Sequence, residues 1–184
     1  LDEPGSQLMS DNTYYFRLQA IDGGLARSTW SAQISSFIYV NIPPQGRNIT
    51  GLTSADITVG YSTVPAVTKY ILQASTLANF TDPNLIVSSQ TLSSNVTNLT
   101  VTGLAINTTY FLRMAGLYQR TTSYAFAVPS ATPTLAVTPT QATIPFPSVS
   151  SNSMTVEWNA NGNPAGTYYR VTIATGNPFD ASDT

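Results

Sequence analysis

Histidine and cysteine are both missing from this chain of 184 residues. Without imidazole or thiolate, nearly all zinc sites and most nucleophile–base arrangements are excluded. Lysine occurs once, as Lys69 ahead of a strand-like run, so a glycine-rich phosphate cradle with its lysine cannot be assembled. Charge of either sign is thin: seven basic and nine acidic residues make 9% of the chain, against roughly a quarter in an average protein. No basic run offers a footprint for phosphate neutralisation, so nucleic acid is not an expected partner. No apolar run approaches the ~18 residues that a membrane-spanning helix needs. A basic leader with a signal-like core is absent as well, and the chain opens on Leu1, which reads as a piece of something longer. No cofactor or metal is expected.

In place of charge the chain carries serine and threonine, together about a quarter of its residues. Hydroxyl-rich, lysine-poor strands are common in extracellular β-proteins, and the lack of disulfides points toward a bacterial or archaeal surface protein. Strand signals dominate. Ile57, Val59 and Tyr61 alternate with Thr58 and Gly60, and Tyr70, Leu72 and Ala74 alternate with Ile71 and Gln73. Tyr110, Leu112 and Met114 alternate in the same way, each pattern fitting a strand with one face in a core. Further strands are expected over 85–91, 96–101 and 124–128. Twelve prolines and eleven glycines sit mostly between these runs, where turns require them.

The chain also repeats itself. The stretch from Leu8 through Asn12, Thr13, Tyr14 and Arg17 returns 96 residues later as Leu104, Thr108, Thr109, Tyr110 and Arg113, within an Asn107-Thr108-Thr109-Tyr110 sequence. Ile57-Thr58-Val59-Gly60-Tyr61 is echoed by Met154-Thr155-Val156-Glu157-Trp158, and Tyr70-Ile71-Leu72-Gln73-Ala74 by Tyr169-Arg170-Val171-Thr172-Ile173. A period near one hundred residues is one small domain repeated. It divides the chain into a C-terminal part of a domain at 1–41, a complete domain at 42–134 and an N-terminal part of another at 135–184. About seven short strands in the complete unit predict an all-β, antiparallel, immunoglobulin-like β-sandwich in a tandem repeat array. Pro43 and Pro44 mark the first joint, Pro133 and Pro139 the second, and neither joint contains a long flexible tract.

On these residues the chain resembles fibronectin type III repeats, as found in bacterial extracellular proteins. The features that carry the resemblance are the aromatic positions Tyr61 and Trp158, the next-strand tyrosines Tyr70 and Tyr169, and the stretches ending in Tyr14 and Tyr110. Those last stretches look like the tyrosine corner of such domains, in which a backbone group across the loop partners the phenol. Trp30-Ser31 and Tyr124-Ala125 look like the openings of corresponding last strands. Two departures are visible: Ser10 and Ile106 replace the proline usual in this stretch, and Tyr61 stands where a tryptophan is typical. The resemblance implies that Tyr14, Tyr61, Tyr70, Tyr110, Trp158 and Tyr169 are core residues.

Few residues offer chemistry. The acids Asp22, Asp56, Asp82 and Asp180 are scattered among turns and read as solvated or capping groups. Oxygens of Asp2, Glu3, Asp22, Asp180 and Asp183 could meet calcium, but no Asp-x-Asp-x-Asp loop is present. Sequons at Asn48, Asn79, Asn95 and Asn98 are candidate glycan acceptors, whereas the one at Asn107 lies inside the tyrosine-corner stretch, where structure fixes the sequence. The loops between the last two strands differ between copies, which makes Arg27, Tyr118 and Arg120 the candidate ligand contacts. The expectation is a non-catalytic spacer, stalk or filament element of an extracellular or cell-surface protein, its partners being neighbouring repeats or copies of itself. The alternative is an adhesion or carbohydrate-binding module that meets surface glycans through those loops, accessory to a secreted hydrolase.

Overall fold

The computed structural model describes residues 8–9, 12–38, 41–118 and 120–174. Its regular elements are strands, apart from one 3₁₀ turn at Pro83–Leu85 capped by the Asp82 carboxylate. Near the N-terminus, β1 (Asn12–Phe16) and β2 (Ile34–Ile38) form a two-stranded antiparallel ladder. The middle of the chain carries β3 (Gln45–Leu52), β4 (Ile57–Ser62), β5 (Lys69–Ser75), β6 (Ile86–Thr91), β7 (Asn98–Val101), β8 (Thr109–Tyr118), β9 (Arg120–Thr121) and β10 (Ala125–Pro133). Four two-residue strands follow: β11 (Thr140–Gln141), β12 (Ser148–Val149), β13 (Met154–Thr155) and β14 (Trp158–Asn159).

The middle strands make a two-layer sandwich. One layer has the order β3-β4-β7 and the other β6-β5-β8-β10, with antiparallel pairing inside each. A single parallel bridge between Val128 and Asn48 joins them along one edge. The alternation read from the sequence explains the layering. Ile57 and Val59 of β4, with Leu99 and Val101 of β7, face inward from one layer. Tyr70, Leu72 and Ala74 of β5 meet Leu112 and Met114 of β8 and Ala127 of β10 from the other. Each buried Val, Ile, Leu or Met side chain among these stabilises the fold by about 1.5–3 kcal/mol. Two glycines are fixed by packing. A Cβ on Gly60 would lie 2.9 Å from the Thr50 methyl group, and one on Gly116 would lie 2.8 Å from Val67.

Strand limits differ from the sequence reading in instructive ways. β10 runs on to Pro133, with a register shift between Phe126 and Ala131 that lets a proline-containing strand keep its partner. β2 opens at Ile34, after Trp30-Ser31. Between β1 and β2 the ladder is continued by side chains: Leu18 N donates to Ser31 Oγ and Ala20 N to Ser28 Oγ. No strand forms over 169–173, the echo of β5, because a strand needs a ladder and no described segment flanks this one. The echo of β3 and β4 does pair, β11 with β14 and β12 with β13.

Candidate functional site

Side-chain hydrogen bonds fasten the chain at both joints. Before the sandwich, Asn41 Oδ1 accepts hydrogen bonds from Ser123 N at 2.9 Å and Ser123 Oγ at 3.0 Å. Pro44 is fully buried, and Arg47 donates to the carbonyls of Phe126 and Pro44. After β10, the buried Thr134 hydroxyl accepts from Thr108 N at 3.0 Å and donates to Ala105 O at 2.6 Å. Leu135 N bonds to Thr53 O. Beyond this point an Asn-x-Asn-x-Asn run lies along the incoming segment. Asn159 donates to Gln141 O, Asn161 to Thr138 O and Asn163 to Val137 O, while Val137 N donates back to Asn163 Oδ1. One bond spans the joint directly, from Asn107 Nδ2 to Thr167 Oγ1 at 2.9 Å. Buried Thr134 and Asn163, with the exposed Asn41, Asn159 and Asn161, hold these segments through paired amides and hydroxyls. The prolines mark the joints in sequence; these asparagines and Thr134, which sequence reasoning missed, fasten them.

The six aromatic positions are placed as follows. Tyr110 is buried, its hydroxyl accepting from Ala105 N at 3.0 Å. Tyr14 makes the same bond with Met9 N at 2.7 Å, five residues back in each case, but is only half-buried. Tyr70 is buried, with Val64 N donating to its hydroxyl. Tyr61 packs beside it with ring centroids 4.7 Å apart, and its own buried hydroxyl has no partner. Burial, and secondarily the neighbouring Tyr70, raise the Tyr61 phenol well above its usual range. Trp158 departs from expectation: it is 39% exposed, because no second sheet covers β14 among the described residues. Its ring still meets Tyr169 at 5.4 Å, the pairing that Tyr61 and Tyr70 make. Tyr169 is half-buried, with a buried hydroxyl that lacks a partner.

Two further duplications carried no role in the sequence reading. Arg113 lies between Phe80, 4.0 Å from the ring centroid, and Tyr124, at 4.2 Å, and donates to Gln73 Oε1. Arg17 lies over Trp30 at 4.4 Å in the same way. Gly116 N donates to Thr122 Oγ1 and Thr122 N to Gly116 O, matching the bonds between Ala20 and Ser28. The recurrence of Arg17 and Arg113 was the available signal for the stacks.

The loop candidates are not brought together. Arg27 bridges Ile21 in the first hairpin, beside a hollow lined by Asp22 and Ala26, whereas Tyr118 and Arg120 pair across the β8–β9 reversal. Asp22 Oδ1 is taken up by the amides of Gly24 and Ala26, so it serves its own turn. Asp56 and Asp82 likewise sit at turns, receiving bonds from the Thr53 hydroxyl and from Asn84 N. Among the described residues no three acids cluster as a metal site would require. Asp2, Glu3, Asp180 and Asp183 lie outside the described residues. Of the sequons, Asn79 and Asn95 are exposed in loops, while Asn48 and Asn98 are exposed on β3 and β7. No described helix is long and apolar enough to cross a membrane.

No family model matches the chain, and no curated protein matches it in sequence. Among solved structures it is similar to the chicken CNTN1 FN1–FN3 domains, at 15% identity over 73% of this chain and 46% of that one, with a TM-score of 0.45. It thus spans under half of that segment. A two-domain fibronectin type III segment from chicken tenascin matches at 16% identity over 61% of each chain, TM-score 0.45. The FN5 domain of Drosophila Lar matches at 24% identity over 51% of this chain and 98% of its own, TM-score 0.39. The strand order of the sandwich, β3-β4-β7 against β6-β5-β8-β10, is that of an all-β, antiparallel, immunoglobulin-like fold.

Proposed function

We propose that the chain is a non-catalytic spacer segment of an extracellular array, in which each unit sets the direction of the next. The observation that carries this reading is the joint after β10. There Thr134, Asn107 and Asn163 tie the outgoing segment both to the unit it leaves and to the unit it enters. Function then lies in spacing: a short, hydrogen-bonded connection holds neighbouring units in file, so length grows with the number of repeats. A charge-poor, hydroxyl-rich surface suits an extracellular setting. Small-angle scattering of the chain is expected to give one elongated shape. Asn163→Ala should broaden the distribution of maximum dimensions without changing the unfolding of the middle sandwich. A wild-type distribution already as broad as that of the variant would overturn the reading.

A further inference from the structure

Five Asn-x-Thr triplets run through the middle of the chain, and the fold treats them differently. Glycosyl transfer to asparagine needs a side-chain nitrogen that can reach the donor and a hydroxyl two residues on. It also needs a backbone free to enter the site of another protein. Asn107 fails the first requirement, because its Nδ2 is donated to Thr167 Oγ1. Asn48 and Asn98 are exposed but lie in β3 and β7, both in register with Gly60 of β4. The Asn98 triplet is held further by buried Leu99 and by the bond between the Thr100 and Thr58 hydroxyls. Presenting either asparagine would require a strand to leave its sheet. Asn95 is exposed in a loop, but its Oδ1 accepts from Ser94 Oγ, and Thr97 O is taken by Tyr61 N.

Asn79-Phe80-Thr81 meets all three requirements. The triplet lies in the loop between β5 and the 3₁₀ turn. Phe80 is buried, and its ring packs against Arg113 and Phe126. With the middle residue turned inward, Asn79 and Thr81 are both exposed. Asn79 Oδ1 accepts from Thr81 N at 3.3 Å and from Thr81 Oγ1 at 3.0 Å, which leaves Nδ2 outside both bonds. A hydroxyl donated to the carboxamide oxygen stabilises the negative charge that gathers there as the nitrogen gives up a proton. The nitrogen is thereby made a better nucleophile.

We infer that Asn79 is the N-glycan acceptor of this chain, its donor a polyprenyl-diphosphate-linked oligosaccharide. Asn79 Nδ2 attacks the anomeric carbon of the first sugar and forms the new N–C bond. The bond from that carbon to the diphosphate oxygen breaks, and polyprenyl diphosphate leaves with the electron pair. One Nδ2 proton passes to a base of the transferase. The inference shares the extracellular setting of the spacer reading, because such transferases act on exported chains. Transfer to the purified protein tests the acceptor alone, whatever scattering shows about the joints.

The test incubates the folded chain with a single-subunit oligosaccharyltransferase that accepts Asn-x-Thr and with the lipid-linked oligosaccharide. Peptide mass then reads the occupancy of each triplet. Asn79 is expected to carry glycan at several-fold the occupancy of Asn95, with Asn48, Asn98 and Asn107 bare. Asn79→Gln and Thr81→Ala should abolish the signal, whereas Thr81→Ser should keep it. Short synthetic peptides around Asn79 and Asn95 should be modified alike, which makes the preference a property of the fold. Equal occupancy of Asn79 and Asn95 in the folded chain, or glycan elsewhere with Asn79 bare, would overturn the assignment. Transfer to the peptides with none to the folded chain would overturn it too.

Discussion

Leu112 and Phe16 occupy the same position in two copies of one sequence pattern, yet the first is sealed in a core and the second lies open. The same holds for Met114 against Leu18 and Leu72 against Val171. Local geometry survives in the open pieces: Tyr14 still receives its backbone amide, Arg17 still stacks on Trp30, and Ser28 still clips Ala20. Short-range interactions are therefore written into the strand and its hairpin, whereas burial depends on a second layer. The middle sandwich and the flanking segments differ in company more than in conformation.

Substitution at matched positions tests that comparison, and the largest contrast is expected in the core. Leu112→Ala should destabilise the middle sandwich by about 2–5 kcal/mol in denaturant unfolding. Leu18→Ala, bare in the single chain, should move the same transition by less than about 0.5 kcal/mol. Next come the tyrosine corners. Tyr110→Phe removes the buried phenol's bond to the Ala105 amide and should cost about 1–3 kcal/mol. Tyr14→Phe, where water can replace the hydroxyl, should cost well under that; equal losses would erase the distinction between the units. The stacked arginines follow: Arg113→Ala, losing two rings and the Gln73 bond, should cost about 1 kcal/mol, and Arg17→Ala about half as much.

The smallest effect is expected at Tyr61. Its hydroxyl is buried and unpartnered, so Tyr61→Phe should leave stability unchanged or raise it by up to about 1 kcal/mol. The sign with pH is fixed by the raised phenol. Above its ordinary value of 10.0 the unfolded chain releases a proton that the folded chain keeps, so stability falls as pH climbs. Urea midpoints measured between pH 8 and 11 should decline less steeply in the variant, and parallel declines would show that Tyr61 does not set the slope.

Much of this architecture was legible in the sequence. Period-2 runs located β4, β5 and β8, and the echo between Leu8–Arg17 and Leu104–Arg113 announced both tyrosine corners. Other features rest on contacts between distant residues that no local pattern encodes. Phe80 reaches Arg113 from a loop, with its own backbone at φ 54°, and Asn107 finds Thr167 sixty residues away. Trp158 shows the reverse limit: its inward phase is readable, but whether a layer arrives to cover it is not a property of its strand. Of the candidate ligand contacts, Arg27 lies in one hairpin and Tyr118 and Arg120 in its counterpart 96 residues on, as the sequence comparison of the two loops had them.

The parallel bridge between β3 and β10 has a mechanical consequence. The chain enters the sandwich along β3 and leaves along β10, two strands that run the same way side by side and meet at Asn48 and Val128. Traction applied to the two ends draws these strands past each other in opposite senses. The load then arrives as shear on the interlayer seam. Arg47, bonded to Phe126 O across that seam and to Pro44 O at the point of entry, sits where the first slip must occur. A sandwich loaded in this way yields by sliding of its terminal strands with the core still closed, so its tensile limit is set at residues 44–48 and 126–128.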